Sequence, residues 1–107
     1  MGLYGKLDVW MARTVVVPRE ECKLLQADKG AYVNVLTLAA GETECRAKVA
    51  SAMNDYYFDV VAIEDVFLFS DASNVSAELT TIAAELDESQ NVKHVRFETL
   101  HTFPRLM

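Results

Sequence analysis

Residues 73–88 read Ser-Asn-Val-Ser-Ala-Glu-Leu-Thr-Thr-Ile-Ala-Ala-Glu-Leu-Asp-Glu. Val75, Leu79, Ile82, Ala83 and Leu86 recur at i, i+4, i+7, i+8 and i+11, the spacing that gathers side chains on one side of an α-helix. The opposite side carries Glu78, Thr81, Glu85 and Glu88. This helix therefore has one apolar stripe and an acidic, solvated back, with Ser73 or Asn74 placed to cap its start. A single stripe has to be laid on another layer. The segments on either side of the helix show what that layer is.

Before it, Tyr57 to Phe69 alternates, with Phe58, Val60, Ala62, Val66 and Leu68 on one parity, and reads as a strand. It is long against the usual five or six residues, so Glu64-Asp65 marks a bulge, a bend or a break. After it, Val92 to Thr102 forms a last strand, with Val95, Phe97 and Thr99 on one side and His94, Arg96 and Glu98 on the other, ended by Pro104. Further back, Glu42 to Asn54 returns to helical spacing, with Cys45, Val49, Ala52 and Met53 inward and Arg46 and Lys48 outward. Glu42 and Glu44 complement the amide end of this helix. Leu7 to Val17, closed by Pro18, and Ala31 to Ala39, followed by Gly41, are rich in β-branched residues and read as two strands. Between them Pro18 to Gly30 stays open: a short helix begun at Pro18, or a loop whose Ala27–Gly30 end is a type I turn with a left-handed glycine.

The order is β-β-α-β-α-β. Two helices with one stripe each are both satisfied by an α+β two-layer sandwich, a mixed four-stranded sheet with the two helices on one face. The 107 residues suffice for one core, so 1–107 is read as a single domain.

Sixteen Asp and Glu against ten Lys and Arg give a net charge of −6, and the basic residues are scattered, which argues against nucleic acid. No apolar run approaches the roughly 18 residues that span a bilayer, and Met-Gly-Leu-Tyr-Gly-Lys at the start lacks an apolar signal core. The expectation is a cytoplasmic protein, away from membranes, with Cys22 and Cys45 as free thiols. There is no glycine-rich phosphate loop, Gly-x-Ser-x-Gly, Cys-x-x-Cys or His-Glu-x-x-His. Hence no catalytic residue, cofactor or metal is assigned. His94, Glu98 and His101 are suitable ligand types, but on a strand positions 94 and 98 lie about 13 Å apart and His101 has the other parity.

With both helices on one face, the reverse face is where function is sought. Its parity on three strands gives Tyr32, Asn34 and Leu36; Tyr57, Asp59 and Ile63; and His94, Arg96 and Glu98. Apolar residues persist there, and an apolar patch of that kind meets another protein surface or a ligand. The chain reads as a non-enzymatic interaction domain acting through an apolar sheet face or an edge strand. Its partner is another protein or itself, as a homodimer, and an inhibitor, immunity-type or regulatory role is of this kind by analogy alone. The alternative is a small ligand-binding protein or enzyme using the polar cluster of the last strand around Arg96.

Overall fold

The computed structural model describes residues 6–104 and has an α+β fold. Strands β1 (Asp8–Pro18) and β2 (Lys29–Ala39) form a long antiparallel hairpin, in register from Asp8 opposite Ala39 to Val16 opposite Ala31. Helix α1 (Glu42–Asp55) then carries the chain to β3 (Phe58–Leu68), which pairs with the free side of β1. A 3-10 turn (Phe69–Asp71) leads to α2 (Ala77–Ser89), and two short strands, β4 (Val95–Phe97) and β5 (His101–Pro104), pair with β2. The sheet order is β3-β1-β2-β4, with β5 continuing beside β2.

Every ladder is antiparallel, so the sheet is not mixed. The single α1 crossover makes β2 and β3 run the same way, but β1 lies between them. The last strand is two strands with 98–100 between them, giving five among the described residues. In α2 the cap is Ser76 rather than Ser73 or Asn74: its Oγ accepts the Leu79 N–H at 3.1 Å. Asn74 instead takes a left-handed turn, φ 56. Gly30 is not left-handed. Phe103 lies over it, and a Cβ there would stand 2.5 Å from the ring, so glycine is needed for close approach.

The two helices do not share a face. Cys45, Val49 and Met53 of α1 pack with Ala12, Val16, Ala31, Val33, Val35, Ala39 and Phe58. Leu79, Ile82, Ala83 and Leu86 of α2 pack with Met11, Leu36 and Leu38. Met11 and Ala12, or Val35 and Leu36, are strand neighbours and point to opposite sides. The chain is thus three layers deep, with α1 on one face and α2 on the other. The sequence carried the signal: Val35 to Ala39 is buried at every position, as in a strand covered on both sides. Alanines at 12, 31 and 39 lower the surface under α1, while Met11, Leu36 and Leu38 present longer side chains to α2.

Arg19 closes one end of the molecule. Its Nη1 donates to the Phe58 carbonyl and to Asp59 Oδ1, both at 3.1 Å, and its Nη2 donates to the Asn54 carbonyl at 3.0 Å. Helix α1 has no basic residue in its last turn, so Arg19 supplies the cation at its negative end. It also lies over the ring of Tyr57, 5.8 Å from its centroid. Tyr57 holds φ 64, and its N–H reaches back to the Asn54 carbonyl. Arg19→Ala is expected to cost about 1.5–3 kcal/mol in urea unfolding, the range for hydrogen bonds made by a charged group. Arg19→Lys recovers less than half of that, because a point charge cannot bridge the same carbonyls. Equal stability of Arg19→Ala and wild type excludes this clamp.

Candidate functional site

Helix α2 has 13 residues, about 20 Å of helix, while the strands beneath it have 11 residues each, about 36 Å. It roofs only the half of its face that holds Met11, Leu36 and Leu38. Among the described residues, nothing roofs the other half. Along β1 it presents Arg13, Val15 and Val17, and along β2 Tyr32 and Asn34, with the backbone of Gly30 beneath Phe103. Ala62 and Asp65 of β3 face the same way, opposite Val15 and Arg13.

The centre of this half-face is aromatic. Tyr32 is 46% exposed, and its ring centroid lies 5.0 Å from that of Phe103 in a tilted pair. The rim is polar. Arg13 Nη1 and Asp65 Oδ2 are 3.8 Å apart, both half-exposed, and Arg19 meets Asp59 at 3.1 Å. Glu98, only 7% exposed, accepts from Asn34 Nδ2 and from Ser76 Oγ at 3.4 Å, and its carboxylate lies 3.6 Å from His101 Nε2. That carboxylate ties the β4–β5 connection to β2 and to the start of α2.

Of the residues expected on one open face, the structure brings Tyr32, Asn34, Asp59 and Glu98 to this half-face or its rim. Leu36 is fully buried under α2. Ile63 packs on the α1 side, opposite Thr14. Parity misleads on β3 because two register shifts interrupt it, one at Glu64 and one at Val61. Each shift adds a residue and turns the next one over, so Asp59 and Ile63 face opposite ways. Tyr57 precedes β3 and is held by Arg19. His94 lies in the turn before β4, and Arg96 reaches out to Glu85 of α2 at 2.8 Å. The polar cluster of the last strand is therefore dispersed. Sequence reasoning misses Val15, Val17, Ala62 and Phe103: parity puts the first three on the covered side or on no face. Phe103 has no local signal, since what places it is Gly30 on another strand.

Both edges of the sheet are guarded. β3 carries its two bulges together with Asp59, Glu64 and Asp65, and the other edge is split into strands of three and four residues, the second ending in Pro104. Bulges, charges, short strands and proline are the devices that prevent a further strand from pairing. Cys22 and Cys45 are free thiols, and burial, outweighing Arg46 and Lys48, pushes the Cys45 thiol up to about 11, so it stays protonated. Among the described residues, no three His, Cys, Asp or Glu side chains gather closely enough to hold a metal ion, and no helix is long and apolar enough to cross a membrane. Comparison with family models, with curated proteins and with solved structures finds no match.

Proposed function

We propose that this chain is a non-catalytic interaction domain of the cytoplasm that docks a protein, another chain or a second copy of itself, through the open half of the face roofed by α2. The observation that carries the reading is the build of that half-face: the Tyr32–Phe103 pair and valines at the centre, ion pairs at the rim. An apolar, aromatic centre ringed by polar groups is how protein interfaces are made. The guarded edges favour contact through the face over strand addition. Arg96 and Glu98 are already engaged within the chain, which draws the reading away from a ligand held by the last strand. An inhibitor, immunity-type or regulatory role is the kind of task such a stoichiometric contact serves.

Tyr32→Asp is expected to weaken the complex at least about tenfold, as for an aromatic anchor at an interface centre, with unchanged circular dichroism. Val92→Asp, at an exposed site in the loop after α2, leaves binding as it was. The measurement is sedimentation velocity of the purified chain and of affinity-purified complexes. A wild-type chain that binds neither itself nor any protein, or a Tyr32→Asp variant that binds as wild type does, overturns the proposal.

A further inference from the structure

We infer that the occupant of the open half-face is a second copy of this chain, paired about a twofold axis so that Arg13 of each copy meets Asp65 of the other. This rests on the docking reading above and commits it to one partner. The first ground is charge. On the half-face and its rim the exposed charges cancel, Arg13 with Asp65 and Arg19 with Asp59. With the buried Glu98 also counted at the rim, eight basic and thirteen acidic residues are left to the rest of the chain, so all but one unit of the net charge of −6 lies elsewhere. Two copies of an acidic chain repel overall, and on this half-face they meet without a penalty from exposed net charge. A basic partner, by contrast, is drawn to the outer side of α2, where Glu78 and Glu88 stand exposed beside Glu85 and Asp87, which are paired with Arg96 and Lys6.

The second ground is self-complementarity. A twofold interface requires that whatever residue i meets, its counterpart meets in return. Arg13 and Asp65 are a cation and an anion side by side on neighbouring strands of the same face, loosely paired at 3.8 Å and half-exposed. Such a pair is free to exchange partners across an axis passing close to it. The size of the half-face sets the affinity. Four strands at about 4.8 Å and five residues at about 3.3 Å give a footprint of about 300 Å². A standard interface removes about 800 Å² of accessible surface per partner, so this contact is of the small, reversible class. Self-association is expected across roughly 10 µM to 1 mM.

The test is a charge exchange between Arg13→Asp and Asp65→Arg, read by sedimentation equilibrium over that range, with circular dichroism showing each variant folded. Wild type is expected to rise from the mass of one chain to that of two. Each single variant places like charges together in both symmetric contacts and is expected to associate about tenfold to a hundredfold more weakly. An equimolar mixture of the two variants restores the pairing, since both symmetric contacts of the heterodimer then join a carboxylate of one copy to a guanidinium of the other. A wild type that stays one chain at about 1 mM, or single variants that pair as wild type does, or a mixture that restores nothing, overturns the inference. A photocrosslinking amino acid at position 32, in cells, separates the two readings. Linkage to a second copy supports both. Linkage only to a different protein overturns the second-copy assignment and leaves the docking face standing, and no linkage from a monomeric chain overturns both.

Discussion

Leu36→Asp is expected to unfold this protein, whereas Tyr32→Asp, four residues earlier on the same face of the same strand, leaves it folded. Leu36 is fully buried beneath α2 among Met11, Leu38, Leu79 and Leu86, and the cation opposite it on β4, Arg96, is already held by Glu85 at 2.8 Å. A carboxylate there loses about 2–3 kcal/mol of apolar burial, and its desolvation costs several more. Domains of this size have roughly 5–15 kcal/mol in total, so most of the chain is unfolded at neutral pH. Tyr32 is 46% exposed, and an aspartate at that position keeps its water. Far-UV circular dichroism and thermal melting distinguish the pair. A Leu36→Asp chain with a native melt shows that α2 does not roof this face.

Met53→Ala and Leu86→Ala are each expected to cost about 2–5 kcal/mol, the range for truncating a long buried side chain that leaves a cavity. Both are fully or almost fully buried, one in the cluster under α1 and the other in the cluster under α2. The sheet lies between the clusters, so the two losses add within about 0.5 kcal/mol. Where the double variant is too unstable to measure, Val49→Ala with Ile82→Val tests the same separation at lower cost. Urea unfolding of the two singles and the double gives the coupling. An interaction term well above about 1 kcal/mol places both helices in one shared layer and refutes the three-layer arrangement.

The elements themselves were legible. Both helices, the two strands of the hairpin and the disturbance at Glu64 follow from periodicity and from residues that break it. The site was legible only in part. Tyr32 and Asn34 can be placed because β2 keeps strict alternation, while Ile63 is misplaced because two bulges reset the alternation of β3. Leu36 is misplaced for another reason: an apolar residue on a second parity looks the same whether it meets a partner or a helix of its own chain.

By itself, the sequence determined which segments are helix and which are strand, and that every helix has one face to hide, because those properties repeat within a few residues. The tertiary structure decided which face of the sheet each helix covers, where α2 stops short, and that Phe103 settles on Gly30. Those outcomes depend on strand order and on contacts between residues far apart in the chain, which no local pattern encodes.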